Sequence, residues 1–164
     1  MNLDAYRCPS CGTTYGLAPS VFRCACGSLL DIAPFEPRFS PDPSERSLFR
    51  YAASMPPVLA AAKDILSRVS MGEGLTPLVP LDPADPSVLV KVDYAMPTLS
   101  FKDRGAAVLV AAARASGARH LVQDSSGNAG ASVAAYAARA GLACDIYAPA
   151  TTSPGASTSA TTAE

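Results

Sequence analysis

Strand-like and helix-like segments alternate through the second half of the chain, and this order constrains the fold more than any other feature. The β-branched run 88–92 predicts a strand, and the alanine-rich segment 101–115 predicts a helix. A short strand over 121–123, a helix over 128–140 and a strand over 143–147 follow. Strands separated by single helices favour a βαβαβ unit. The predicted fold class is therefore α/β, with a partial parallel sheet.

Composition divides the chain into four segments. Residues 1–33 hold four of the five cysteines, and residues 34–70 form a proline-rich linker with weak helices. Residues 71–150 form the α/β domain. Residues 151–164 (TTSPGASTSATTAE) predict a disordered low-complexity tail. Because this tail comes so soon after the third strand, we expect the chain to be the front part of a larger protein.

Composition also excludes several classes of protein. A net charge of -1, with 16% charged residues, argues against a nucleic-acid or membrane-surface partner. The first residues lack the apolar run of a secretory signal. The longest apolar run, residues 106–113, is far shorter than the ~20 residues that a membrane span needs. We therefore expect a cytoplasmic protein, in which cysteines serve as metal ligands or free thiols rather than disulfides.

The four N-terminal cysteines have a spacing typical of zinc knuckles. Cys8 and Cys11 are separated by two residues, whereas Cys24 and Cys26 are separated by one. Four thiolates suit tetrahedral Zn²⁺, and a site closed by four protein ligands is structural rather than catalytic. The sequence predicts a zinc-ribbon-like segment over residues 1–33, and the alternative is four reduced surface thiols.

Lys102 is one of only three lysines, and it lies where a loop meets the first predicted helix, within the string SFKDRG. The positive end of a helix disfavours the ammonium form, and a neutral amine can attack an aldehyde. We expect this amine to be buried beside the second loop, 124–132 (DSSGNAGAS). The alternative is an ordinary charge cluster in the first turn of an exposed helix.

The second loop lies where a predicted strand ends and a predicted helix begins. Free backbone N–H groups at such a point can receive a carboxylate or phosphate, and ligands of α/β sheets bind at this edge. The alternative is a well-capped helix, with Ser125 or Ser126 as its N-cap.

These two loops, in this order after segment 72–78 (GEGLTPL), resemble the β-family (fold type II) of pyridoxal-phosphate enzymes, and within it the threonine synthases. Segment 97–105 (PTLSFKDRG) is similar to that family's cofactor-lysine motif, and 125–130 (SSGNAG) is similar to its substrate and cofactor loop. The cysteine-rich start resembles a zinc-ribbon-like extension of some threonine synthases. The resemblance implies that residues 71–150 are the N-terminal part of the enzyme's α/β domain.

The resemblance also implies a role for each candidate residue. Lys102 would hold pyridoxal 5'-phosphate covalently and then act as base and acid, and Asn128 would hydrogen-bond the cofactor's ring hydroxyl oxygen. The implied reaction converts O-phosphohomoserine, a small amino-acid phosphate, and water into threonine and phosphate. Five further residues would line the site or receive the substrate carboxylate: Thr98, Ser100, Ser125, Ser126 and Gly127.

Some features leave other assignments open. Leu99 stands where the family often has glycine, and we expect its side chain to crowd the lysine loop. The family's phosphate-gripping loop comes later in the chain, so we expect little or no turnover from these 164 residues alone. Threonine or serine dehydratases and cysteine synthases carry variants of both loops, and a non-catalytic zinc-ribbon interaction module is a further alternative. A homo-oligomer of the full-length form also stays open.

Overall fold

A computed structural model describes residues 4–152 of the chain, so most of the predicted tail lies outside the described residues. The structure mixes helices with small sheets, one of them parallel, which confirms the α/β class at this level. Within residues 4–152, no helix combines the length and apolarity needed to cross a membrane. The division of the chain at residues 33, 70 and 150 stays a prediction.

Three short antiparallel strands form the first sheet, in the order β2–β1–β3. They are β1 (Asp4–Arg7), β2 (Thr14–Gly16) and β3 (Asp31–Ile32). Each of the two cysteine-bearing turns next to this sheet ends in a glycine with positive φ, 76° at Gly12 and 88° at Gly27. This left-handed backbone is readily adopted only by glycine, so these residues allow the turns to fold tightly.

Short helices follow the irregular segment after the first sheet. A 3₁₀ helix spans Leu48–Ser54, and Ser47 Oγ caps it by accepting from Phe49 N at 3.1 Å. The sequence pattern over residues 57–69 predicts one of the weak helices, but the structure splits this segment into α1 (Pro57–Ala60) and α2 (Lys63–Val69). The prediction of weak helices after the proline-rich linker is therefore confirmed, with a break that the sequence pattern did not indicate.

The predicted first strand pairs differently from our expectation. Residues 88–92 fall mostly in β5 (Asp85–Lys91), which forms an antiparallel hairpin with β4 (Leu78–Asp82). In the structure this hairpin is a separate two-stranded sheet. The three-stranded βαβαβ arrangement is therefore wrong for the described residues. The physical reason is that β4 precedes β5 by only two residues, so pairing them closes a very short loop.

The remaining part of the predicted unit is confirmed. Helix α3 (Asp103–Ala115) leads to β6 (His120–Asp124), and α4 (Asn128–Ala140) connects β6 to β7 (Ala143–Tyr147). Strands β6 and β7 pair in parallel over their whole length. Helix α4 ends at Gly141, which has a left-handed backbone with φ of 67°. A glycine directly after the last helical residue is typical of such a helix end.

Helices α2, α3 and α4 pack pairwise around one apolar core, and α4 also covers the parallel sheet. Alanines on the facing sides of α3 and α4 let the two backbones approach closely. This packing fixes α3 and α4 relative to each other, and the two candidate loops lie at their N-termini. The core contains mostly aliphatic and small side chains: Phe49, Leu66, Val69, Ala106, Ala107, Val110, Ala111, Val133, Tyr136, Ala137, Leu142 and Cys144.

Candidate functional site

The lysine loop leads into α3, and Lys102 is the N-cap of that helix. Its side chain is exposed, and Nζ lies 4.8 Å from the centroid of the Phe101 ring. Our expectation of a buried amine is therefore wrong for the described residues, because Lys102 lies at helical spacing from the exposed Gly105 and Leu109, on the side of α3 that faces away from the core. Ser100, two residues before Lys102, is buried, and its Oγ accepts from Lys102 N at 3.2 Å. Ser100 thus stabilises the turn that presents Lys102.

The expected crowding by Leu99 is also wrong. The Leu99 side chain is 76% exposed, so it does not press on the lysine loop. The backbone of Leu99 instead has φ of 59°, in the left-handed region that favours glycine. The unusual feature of this position is therefore backbone strain.

A buried hydrogen-bond network joins the lysine loop to α4. Asp103 is fully buried and accepts from Thr98 N at 2.7 Å and from the Thr98 hydroxyl. Ser132, on α4, is also fully buried and donates to Asp103 Oδ1 at 2.7 Å. Its Oγ lies 2.9 Å from Thr98 Oγ1. The network therefore couples the position of the Lys102 loop to the helix that begins at the second loop.

The second loop is polar and largely exposed, at the carboxyl end of β6. The N-cap of α4 is Gly127, which has no side chain to cap the helix. Ser125 Oγ instead accepts from Gly130 N at 2.9 Å, so Ser125, one of the two expected capping residues, caps the helix from two positions before the N-cap. Ser126 and Asn128 are exposed. These polar groups, beside the N-terminus of a thirteen-residue helix, have the chemistry to receive an anion.

Gly130 shows why this loop needs a residue without a side chain. A Cβ built there would lie 3.0 Å from Ile146 Cγ2 and 3.1 Å from Ser125 Cβ. These distances are shorter than ordinary van der Waals contacts, so a larger residue would push the loop away from β7. The glycine therefore keeps Ser125 against the helix N-terminus.

An ion pair supports the lysine loop from its other side. Arg104 Nη2 lies 2.9 Å from Asp93 Oδ1 and donates to Thr76 Oγ1 at 3.0 Å. The hydrogen bond from Arg104, with a second from Thr76, holds the pKa of Asp93 below its usual range. This contact ties the start of α3 to the residues that flank the β4–β5 hairpin.

Glu73 lies between two glycines, a pattern typical of an exposed turn, but the structure buries it completely. Its Oε2 accepts from Tyr136 Oη at 3.0 Å and from Met71 N at 2.9 Å. Burial, together with the nearby Glu73 charge, raises the pKa of the Tyr136 phenol well above its ordinary range. The phenol therefore stays a donor, and it links α4 to the segment before β4.

The four N-terminal cysteines converge. Their sulfur atoms all lie within 4.8 Å of one another, so they could hold one metal ion. Cys8 and Cys26 are 3.6 Å apart, and Cys11 and Cys24 are 3.5 Å apart. The antiparallel sheet beside this cluster is compatible with a zinc-ribbon-like segment.

The thiols of this cluster affect one another's ionisation. Burial raises the pKa of Cys8, but the backbone N–H groups of Cys11 and Ser10 outweigh it and bring the pKa to about 6. The backbone N–H of Ser28 lowers the pKa of Cys26, but the neighbouring Cys24 and Cys8 sulfurs outweigh it and raise the pKa to about 12. Four thiolates repel one another at this distance, and a bound cation would relieve that repulsion.

Comparison with known proteins identifies the family of this chain. A family model for pyridoxal-phosphate dependent enzymes matches residues 69–161, which include both loops. The chain belongs to this family. Among its curated relatives, the threonine synthase of Methanocaldococcus jannaschii is 36% identical over 134 residues. This match covers 74% of the chain and 32% of the relative.

A second relative is similar over a shorter region. The threonine synthase of Halalkalibacterium halodurans is 45% identical over 64 residues, which is 37% of this chain and 18% of the relative. The chain therefore spans about a third or less of the length of these two relatives.

Sequence reasoning identified the two loops of this enzyme but missed the buried groups that join them. Asp103 and Glu73 had the appearance of surface or turn residues. Ser132 could have been recognised, because it lies four residues before Tyr136 on the apolar face of α4. The roles assigned to the loop residues through the resemblance stay predictions.

Proposed function

We propose that this chain belongs to a fold-type II enzyme that converts O-phosphohomoserine and water into threonine and phosphate. The observation that carries this proposal is the match to two threonine synthases together with the network that joins the lysine loop to α4. In the reaction the bond between the γ-carbon and the phosphate oxygen breaks, and the hydroxyl group of water is added at the β-carbon.

In this proposal each candidate residue has one task. The Lys102 amine would hold pyridoxal 5'-phosphate through its aldehyde carbon, with loss of water, and would move protons at the substrate carbons. Asn128 hydrogen-bonds the ring hydroxyl oxygen. The loop residues Ser125, Ser126 and Gly127 receive the substrate carboxylate at the N-terminus of α4. The cofactor, when bound, supplies an electron sink.

Thr98 and Ser100 support the lysine loop in the proposal. Both form hydrogen bonds that shape the lysine loop. Thr98 N donates to the Asp103 carboxylate, and Ser100 Oγ accepts from Lys102 N. We therefore assign them to lining and holding the loop that presents the amine. This assignment predicts that replacing Thr98 or Ser100 weakens cofactor attachment more than it weakens substrate affinity.

Chemical trapping tests the cofactor site. The chain is incubated with pyridoxal phosphate, reduced with borohydride and mapped by peptide mass spectrometry. We expect a reduced adduct at Lys102 that is lost in Lys102→Ala. Lys63→Ala is the matched control, because Lys63 is an exposed lysine at the start of another helix, α2. Equal labelling of Lys63 and Lys102 would contradict the proposal and favour a non-catalytic role.

A substrate comparison tests the reaction. The full gene product is assayed with phosphohomoserine, threonine and O-acetylserine, and we expect turnover of phosphohomoserine with release of equal amounts of threonine and phosphate. Deamination of threonine would instead indicate a dehydratase, and consumption of O-acetylserine would indicate a cysteine synthase. Either result, without phosphohomoserine turnover, would contradict the proposed reaction.

We also propose that the cysteine cluster binds structural Zn²⁺ in a cytoplasmic protein, where its thiols stay reduced. A tetrahedral zinc with Zn–S bonds of about 2.3 Å places its sulfurs about 3.8 Å apart. The observed sulfur separations, from 3.5 Å for one pair to at most 4.8 Å, suit this arrangement. Metal analysis of the purified chain should find one zinc per chain, and none after Cys8→Ser. Zinc content that this substitution does not change would contradict the site.

A further inference from the structure

The hydroxyl of Tyr15 reaches the cysteine cluster from the neighbouring strand β2. Its Oη lies 3.1 Å from Cys24 Sγ, and Ala25 N donates to the same oxygen at 3.0 Å. A phenol has one proton to donate, and its oxygen can accept at the same time. Because Ala25 N–H already occupies the oxygen as a donor, the Tyr15 proton is free to point at the sulfur. A metal-bound thiolate has no proton of its own, so Cys24 can only accept.

Two of the four sulfurs are buried, Cys8 and Cys24. A zinc bound by four thiolates carries a net negative charge, and buried sulfurs are the ones that water solvates least. The tyrosine hydroxyl brings Cys24 a donor from outside its own turn.

The second cysteine pair also has the shorter spacing, with Ala25 alone between Cys24 and Cys26. Tyr15 contacts both the first cysteine of this pair and the residue between the two. It therefore holds the backbone of the short turn while it donates to the sulfur.

We propose that Tyr15 is a positioning residue of the metal site, which stabilises the Cys24 thiolate and fixes the one-residue turn between Cys24 and Cys26. This inference rests on the proposed zinc site and adds to it a residue outside the ligand set. Groups that hydrogen-bond a metal ligand tune its charge and orientation, and their loss typically weakens metal binding about 10–100-fold.

Cobalt substitution of the full chain tests this role. Co²⁺ replaces Zn²⁺ and reports the thiolates through its sulfur-to-metal charge-transfer band. We expect Tyr15→Phe to move this band to lower energy, because the sulfur loses a donor, and to weaken zinc binding about 10–100-fold in competition with a chromophoric chelator. Tyr6→Phe is the matched control, because Tyr6 pairs with Tyr15 across β1 and β2. We expect it to change neither measurement.

A second substitution at Tyr15 keeps the test independent of whether the Tyr15→Phe protein folds correctly. Replacing Tyr15 by 3-fluorotyrosine retains the ring and the hydroxyl but makes the hydroxyl a stronger donor, so the band should move to higher energy. A merely structural tyrosine would not produce opposite shifts in the two substituted proteins. An unchanged band with 3-fluorotyrosine, or a Tyr15→Phe protein with the original band and zinc affinity, would overturn the role of Tyr15 alone. A chain that gives no tetrahedral cobalt spectrum would overturn the zinc site as well.

Discussion

Ser132→Ala tests the buried network that joins the two loops. The substitution removes a 2.7 Å hydrogen bond to the Asp103 carboxylate and the contact with the Thr98 hydroxyl, at a site where Ser132 and Asp103 are fully buried. Alanine has nearly the same volume as serine, so the loss is electrostatic. A hydrogen bond to a charged group contributes about 1.5–3 kcal/mol. We therefore expect the free energy of unfolding to fall by about 2 kcal/mol.

Urea denaturation measures this loss. With a slope of about 2 kcal/mol per molar urea, the midpoint should fall by about 1 M while the slope stays unchanged. Ser67→Ala is the matched control, because Ser67 is an exposed helical serine whose hydroxyl donates to the Asp64 carbonyl at 3.0 Å. Its effect should stay within about 0.5 kcal/mol. If the two variants were equally stable, the network would carry no net energy and the reasoning would be refuted.

A double-mutant cycle separates the network from its single contacts. Thr98→Val removes the second hydroxyl that contacts Asp103, and in combination with Ser132→Ala it should show a coupling of at least about 0.5 kcal/mol. Additive losses would mean that the two hydroxyls act independently. Borohydride trapping of the same variants should give less adduct at Lys102, because the loop is no longer held against α4.

Four further predictions follow from single contacts. Tyr136→Phe removes a donor to the buried Glu73 carboxylate and should lower the free energy of unfolding by about 1–3 kcal/mol, measured in urea. Leu99→Gly should raise it by about 1 kcal/mol, because glycine relieves the left-handed backbone, and no change would contradict the strain. The Arg104 ion pair lowers the pKa of Asp93 in the folded state, so its stabilisation is present above about pH 4 and is lost as the pH falls further. The stability difference between the unmodified protein and Asp93→Asn should therefore shrink in acid, and a constant difference would contradict the ion pair. Chelation of the proposed zinc should abolish amide-exchange protection in β1–β3 but not in α3 or α4, and equal loss everywhere would show that the metal does not stabilise this sheet separately.

The parallel unit could be predicted from sequence because its signals are local. Apolar residues of α4 recur at helical spacing, and Gly141 marks the end of the helix through its own backbone preference. The partner of β5 could not be predicted in the same way, because strand propensity does not specify which strand pairs with it. The chain pairs β5 with β4, its nearest neighbour in sequence. A short strand such as β4, interrupted by Pro80, gives only a weak signal of its own.

The candidate site shows the same division between local and non-local information. The strings around Lys102 and Asn128 are visible in sequence, and the four cysteines converge as their spacing predicts. The burial of Asp103 and Glu73 depends on which helices pack against them, and a charged residue beside a glycine or a helix start gives no sign of it. The exposure of the Lys102 side chain likewise follows from which face of α3 packs on the core, rather than from its neighbours in sequence.

A titration of the isotope-labelled chain with pyridoxal phosphate, followed by amide NMR, tests most directly whether the two loops form one site. We expect the amide signals of Lys102, Ser126, Gly127 and Asn128 to change together with one apparent affinity, and we expect Lys102→Ala to weaken the response of all of them. Changes at Lys102 without any at residues 126–128, or equal changes around Lys63, would contradict this expectation.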